Sequence, residues 1–287
     1  MNTLNKSGFF VRAMSRSGGT MLATILDSHY EVSMSYEIYP HLLENISNIS
    51  RLIDYFNNPS FLDFQEYEHL FNRFFLRLKR SNISNEDLLR LLVNHNKKFN
   101  DFLTNKSRMD FVYGCCKLKR DKQDKTYFGA KSSGRLNDYY DYDSSLKMIL
   151  LIRDPRDTFS SQKSIGTFKN DAKDFSRVWV NTIQNYENFV KKYPNNFVLI
   201  KYEDLVLNLK AKLQEIVNFL EIPFDDKMLN HSIQNLTIFD NNHLSLKALK
   251  KPVNNLQIGR YLKNLTNEEV SCIVNCEYNF FYKYYNK

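Results

Sequence analysis

Phe9-Phe10-Val11 leads into Ala13-Met14-Ser15-Arg16-Ser17-Gly18-Gly19-Thr20 and on to Met21, Leu22, Ile25 and Leu26. The first three residues read as a buried parallel strand, the next eight break the pattern, and the last four lie on one face of a helix. Strand, glycine turn and helix N-terminus together point backbone N–H groups and the positive end of the helix dipole at one spot, which suits an anion. Ser17, Gly18, Gly19, Thr20 and Met21 would supply that cradle, with the cation Arg16 just before the glycines. The loop is not of the nucleoside-triphosphate type, Gly-x-x-x-x-Gly-Lys-(Ser/Thr), because it lacks the lysine.

Further along, Phe128-Gly129-Ala130-Lys131, Lys147 to Ile152 and Phe197-Val198-Leu199-Ile200 read as three more strands. Phe175 to Tyr193 has helical spacing around Val178, Trp179, Ile183, Tyr186 and Val190, and Leu209, Leu213, Ile216, Val217 and Leu220 repeat it before Pro223. Strands alternating with helices predict a three-layer α/β/α fold of P-loop type around a central parallel sheet. Residues 41–110 are polar, aromatic and helical in period, as in Phe61, Phe64, Leu70, Phe71, Phe74, Phe75 and Leu78, and read as a helical insertion or cap. Ser84 with Asp87 and Thr266 with Glu269 have capping-box spacing, the latter opening a last helix through Val270, Ile273 and Val274. The 287 residues are expected to form one domain.

Composition narrows the class. Hydrophobic residues make up 43% and aromatics 14%, enough for a large core and too many for a disordered chain. A net charge of +8 favours an anionic ligand or a basic surface without choosing between them. The cysteines fall as a vicinal pair, Cys115 and Cys116, and as Cys272 and Cys276, neither with zinc spacing, so reduced thiols in a cytoplasmic protein and no metal site are expected. Apolar runs such as Met148 to Ile152 are far short of a membrane span, and no transmembrane segment or signal peptide is predicted.

The second cluster of chemical interest is Leu150-Leu151-Ile152-Arg153-Asp154-Pro155-Arg156-Asp157-Thr158-Phe159-Ser160-Ser161. A strand-end arginine offers a planar fork of donors, and a serine two helical turns later adds a hydroxyl to the same phosphate. Read alone, Arg153 could instead pair with Asp154 or Asp157.

The two motifs together resemble the sulfotransferases that use 3′-phosphoadenosine 5′-phosphosulfate (PAPS). In that family a loop close to Pro-(Arg/Lys)-Ser-Gly-Thr-Thr holds the phosphosulfate. A strand-end Arg followed by (Asp/Asn)-Pro-(Arg/Lys)-Asp and a Ser, the spacing of Arg153 and Ser161, holds the 3′-phosphate. Lys201-Tyr202-Glu203-Asp204-Leu205-Val206 looks like the family's Tyr-Glu-Asp-Leu segment, and Ile258-Gly259-Arg260-Tyr261-Leu262 like its Gly-Arg-Trp region, so the likeness spans nearly the whole chain. Arg16 through Leu26-Asp27-Ser28-His29 to Glu37, and Lys251-Pro252-Val253-Asn254, are similar to the tyrosylprotein sulfotransferase branch. The resemblance implies PAPS as cosubstrate and adenosine 3′,5′-bisphosphate as product. It carries a catalytic base onto Glu37, a leaving-group cation onto Arg16, a reaction-site lysine onto Lys131, the adenine-stacking tyrosine onto Tyr202 and a further nucleotide contact onto Arg260. Departures stand at Ser15 for a loop Pro, Gly19 for a Thr, Tyr36 for a second acid beside Glu37, and Tyr261 for Trp.

The reaction so implied moves a sulfonate to an acceptor hydroxyl, of a carbohydrate, a small alcohol or phenol, or a peptide tyrosine. Because a sulfonate in transfer bears a single negative charge, an Arg, a Lys and backbone amides suffice and no metal is expected. His29, His41 and His95 are alternative bases. The competing readings are a P-loop kinase-like phosphotransferase, and a non-catalytic binder of nucleic acid or acidic polymers. The first lacks the lysine and an evident magnesium-holding carboxylate pattern, and the second fits poorly with features concentrated at two phosphate-sized sites, so no nucleic-acid partner is expected.

Overall fold

A computed structural model of the chain describes residues 8–57, 70–166, 171–233, 249–275 and 278–285. Five strands form a parallel sheet in the order β2-β3-β1-β4-β5, with β1 Phe9–Ala13, β2 Val32–Ile38, β3 Tyr127–Ser132, β4 Lys147–Ile152 and β5 Phe197–Lys201. The α/β class and the sheet with flanking helices are those expected. One strand, Val32–Ile38, lies outside those that the sequence pattern marks, because Ser33 and Ser35 interrupt its apolar residues, yet both serines are buried.

The chain condenses into two compact units. The first gathers the residues up to Val11, then Thr20–Lys147 and Asp225–Lys251. It holds α1 (Gly19–Asp27, from its second residue on), β2, β3 and the helices between them: α2 Ile49–Asn57, a π-helical turn Phe71–Phe75 running into α3 Leu76–Arg80, α4 Asn85–Asn96 and α5 Asn105–Lys122. The described part of 41–110 is therefore helical, and the helical stretch continues to Lys122; Phe61 and Phe64 lie outside the described residues. Ser84 caps α4 in the expected box, its Oγ accepting the Asp87 N–H at 3.1 Å while Asp87 Oδ2 accepts the Ser84 N–H at 3.0 Å. α6 (Leu136–Tyr142) follows β3, and a 3-10 helix over Asp226–Ile233 lies in the later part of this unit. Tyr139 of α6 packs edge-on against Phe10 of β1, and with Leu22, Ile25, Leu26 and Met34 these residues make the core.

The second unit comprises Arg12–Gly19, Met148–Phe224 and Pro252–Lys287. It contains nearly all of β4 and the whole of β5, paired in parallel from Met148 opposite Phe197 to Ile152 opposite Lys201. Its helices are α7 Pro155–Lys163, α8 Ala172–Lys192, α9 Tyr202–Leu207, α10 Leu209–Leu220, α11 Tyr261–Asn264, α12 Asn267–Asn275 and α13 Tyr278–Tyr285. On α8 the buried stripe runs Phe175, Trp179, Ile183, Tyr186, while Val178 is exposed, because an apolar residue beside the stripe turns out of it by one 100° step. Thr266 and Glu269 form the second capping box at 3.2 and 3.0 Å. The aromatic helix α13 follows where no further helix was anticipated. Among the described residues no helix is long and apolar enough to cross a membrane.

Candidate active site

In the second unit Arg16, Arg153 and Tyr202 follow the carboxyl ends of β1, β4 and β5, the position where parallel α/β sheets place ligands. After β1 the chain turns through Met14 to Ser17, the Ser17 N–H donating to the Met14 carbonyl at 3.1 Å. Arg16 adopts φ +69° and Gly18 φ +89°, left-handed conformations that make successive N–H groups converge and that cost a non-glycine residue roughly 1 kcal/mol. Gly18 is required on a second count: a Cβ there would lie 2.5 Å from Cδ2 of Tyr202. α1 opens at Gly19 with Thr20 and Met21 in its first turn and no acidic residue there to neutralise the dipole.

The strand-end motif meets this turn directly. Arg16 Nε donates to Ser161 Oγ at 3.1 Å, across 145 residues of sequence. Arg153 donates from Nη1 to the Arg16 carbonyl at 2.9 Å and from Nη2 to the Gln257 carbonyl at 2.6 Å, and its guanidinium lies 4.6 Å over the Tyr202 ring. Asp154 instead caps α7 and holds Arg156 through both oxygens. Asp157 accepts the N–H groups of Gly259 at 2.8 Å and Tyr261 at 3.0 Å, which brings the Gly-Arg-Tyr segment to the same place. Burial, and then the charges of Arg153 and Arg260, lower the proton affinity of Arg16 below that of an ordinary guanidinium. Arg153 Nε is buried without a hydrogen-bond partner. Three crowded guanidinium groups, one with an unmet donor, are the donor set that a multiply charged anion satisfies.

Tyr202 is 5% exposed, with Arg153 on its face and Gly18 at its edge. The Arg153 peptide is braced on both sides: its carbonyl accepts from Trp179 Nε1 at 3.1 Å, and the next N–H, of Asp154, donates to Glu203 Oε1 at 2.9 Å. Burial raises the Glu203 carboxyl to about 7, against the opposing effect of that amide. Gln257 and Trp179 carry no local signature of a binding role, since each acts from a remote part of the sequence, and Glu203 is marked only by its place in the Tyr-Glu-Asp-Leu segment.

Glu37 and Lys131 stand in the first unit. Tyr36 pairs with Lys131 and Ile38 with Ser132, so Glu37 is the extra residue of a β-bulge, at φ +58°. Its Oε1 accepts from Lys131 Nζ at 2.6 Å, and its Oε2 from Arg80 Nη1 at 3.2 Å and Arg77 Nε at 3.5 Å. Burial alone would raise this carboxyl, but Lys131, then Arg77 and Arg80, hold it down at about 2. Each of the three histidines has contacts of its own. The ring of His95 stacks on Phe102 and Phe99 and bonds Ser107 and Asp110. His29 Nδ1 accepts the Glu31 N–H, and His41 stacks on Tyr39. Cys115 and Cys116 are buried free thiols with raised pKa, and Cys272 is also free; Cys276 lies outside the described residues.

The class is that of an α/β protein with a parallel five-stranded sheet, a glycine turn before a helix and arginines gathered beside that turn. The chain belongs to the sulfotransferase family, whose sequence profile, described as "Sulfotransferase family", matches residues 8–226. It is 26% identical over 253 residues to protein-tyrosine sulfotransferase A of Caenorhabditis elegans, covering 85% of this chain and 58% of that protein, so the chain spans little more than half the length of this relative. The fold is similar to that of the sulfotransferase domain of the Synechococcus PCC 7002 olefin synthase, with a TM-score of 0.65 at 18% identity over 93% of both chains. It is also similar to the sulfotransferase domain from the curacin biosynthetic pathway, with a TM-score of 0.55 at 19% identity over 92% of this chain and 89% of the other.

Proposed function

We propose that the chain transfers a sulfonate group from PAPS to an acceptor hydroxyl, releasing adenosine 3′,5′-bisphosphate. The observation that carries this reading is the 3.1 Å bond from Arg16 Nε to Ser161 Oγ, with Arg153 bonded to the Arg16 carbonyl. Two anion motifs far apart in sequence become one cradle, as a nucleotide phosphorylated at both ends requires. Ser17 to Met21 would hold the 5′ end, Arg153, Ser161 and Arg260 the 3′-phosphate, and Tyr202 the adenine. The acceptor oxygen forms a bond to sulfur while the bond from sulfur to the 5′-phosphate oxygen breaks. The hydroxyl proton passes to Glu37, Arg16 stabilises the charge growing on the departing phosphate, and Lys131 stabilises the bridging oxygen or the sulfonate. A carboxyl held at about 2 is ionised throughout the neutral range and so is in the form that can accept a proton. The low charge of the sulfonate makes a metal unnecessary in this scheme. Likeness to a protein-tyrosine sulfotransferase supports including peptide tyrosine among the acceptors, beside carbohydrates, alcohols and phenols.

Calorimetric titration separates this reading from a kinase: adenosine 3′,5′-bisphosphate should bind and ATP bind far more weakly. A mass-shift assay with PAPS and a panel of acceptors should detect transfer. Arg16→Ala and Glu37→Gln should each lower turnover by roughly 10²-fold or more while leaving the fold intact. Preference for ATP, or full activity of Glu37→Gln, would overturn the assignment or the base respectively.

A further inference from the structure

The helical stretch between β2 and β3 is stitched to the strand at the bulge that carries Glu37. The hydroxyl of Ser81, which ends α3 and is fully buried, accepts the Tyr36 N–H at 3.0 Å. One residue later come the two ion pairs from Arg77 and Arg80 of α3 to Glu37 Oε2, with Arg77 also lying 4.8 Å over the Tyr39 ring and bonding the Arg73 carbonyl. Both arginines and the carboxylate are largely out of solvent, with side chains 23%, 16% and 16% exposed. A bulge re-aims a side chain, and the left-handed backbone of a non-glycine residue persists only where the surroundings over-determine it. Here α3 provides that constraint.

The chemistry of the carboxylate adds a count. Two oxygens offer about four lone-pair positions. Arg77 and Arg80 take those of Oε2, and Lys131 takes one of Oε1.

We propose that Arg77 and Arg80 are positioning residues for Glu37, holding Oε2 so that a single lone pair on Oε1, beside Lys131, is left to take the acceptor's proton. The proposal rests on the reading of Glu37 as the base. Among the described residues, the charged groups facing the carboxylate are Lys131 from β3 and Arg77 and Arg80 from α3. Removing the two guanidinium groups leaves one cation against the cost of burial, so the carboxyl must protonate at higher pH.

The test uses the full chain labelled with ¹³C at glutamate carboxyls, with the Glu37 signal assigned by its loss in Glu37→Gln. In the Arg77→Met/Arg80→Met variant its titration midpoint should rise by at least about one pH unit, a tenfold change in proton affinity, and Arg77→Lys/Arg80→Lys should return it most of the way. A midpoint that does not move overturns the proposal; the single variants Arg77→Met and Arg80→Met give the same reading with smaller shifts should the double variant not fold. Kinetically, with PAPS and a tyrosine peptide as the acceptor probe, the ratio of variant to wild-type kcat/KM should be constant near neutrality and fall as pH drops from 5 towards 3, where the raised carboxyl protonates first, whereas a merely structural loss would lower it equally at every pH and overturn the proposal. A wild type inert toward PAPS, or Glu37→Gln as active as wild type, would bring down the reading of the base, and the carboxyl titration would still decide the clamp.

Discussion

At the scale of single residues, backbone conformation and charge burial set the behaviour of the site. Gly18 combines a left-handed φ of +89° with a Cβ position 2.5 Å from Tyr202, so Gly18→Ala strains the turn and pushes on the ring beneath Arg153. It should cost roughly 1–3 kcal/mol in denaturant unfolding and weaken adenosine 3′,5′-bisphosphate binding more than it lowers stability elsewhere in the chain. Glu203 gives a pH signature of known sign. Burial raises its carboxyl to about 7 when folded, so the folded state holds the extra proton between the ordinary carboxyl range and about 7. Its contribution to stability is therefore complete below that window and is lost as pH rises through it. Glu203→Gln should remove this slope when wild-type and variant unfolding free energies are compared from pH 4 to 8; parallel curves would show that Glu203 is not the group responsible. Glu37, held down at about 2, has the opposite sign, adding stability that is complete above the ordinary carboxyl range and is lost as pH falls from there through about 2.

At the scale of elements, the capping boxes of α4 and α12 were readable because a cap and its partner are three residues apart and interact whatever the rest of the chain does. β2 was not readable, because its serines look solvent-facing until helices cover both sides of the strand. α13 was missed for a similar reason: Phe280-Phe281-Tyr282-Lys283-Tyr284-Tyr285 has no polar stripe, and its helical state depends on what it packs against. Phe280 and Tyr285 lie 6.3 and 6.1 Å from Trp179, whose indole holds the Arg153 carbonyl, and Phe281 lies under Arg156 at 4.8 Å. Lys201 Nζ, at the end of β5, donates to the Tyr284 carbonyl at 2.9 Å. A chain ending at Asn275 should therefore melt at lower temperature and bind adenosine 3′,5′-bisphosphate less tightly; unchanged affinity by calorimetry would show that the brace behind Arg153 does not need this helix.

At the scale of the whole molecule, a cradle of like charges would be relieved by the nucleotide proposed for it. Adenosine 3′,5′-bisphosphate at a hundred times its dissociation constant should stabilise the chain by about 2.7 kcal/mol, read as a rise in melting temperature that ATP at the same concentration does not reproduce. The sequence by itself determined the strand, glycine turn and helix near the N-terminus, the alternation that makes the sheet parallel, the Arg153 to Ser161 spacing and the helix caps, all of which act over a few neighbouring residues. Only the tertiary structure decided that Arg16 reaches Ser161, that Gln257 and Asp157 hold the Gly-Arg-Tyr segment at Arg153, and that two arginines of α3 meet a carboxylate on a bulge of β2. Those pairings join residues from 40 to 145 positions apart, and local propensity carries no information over such distances. Packing of the sheet and its helices is what selects the partners.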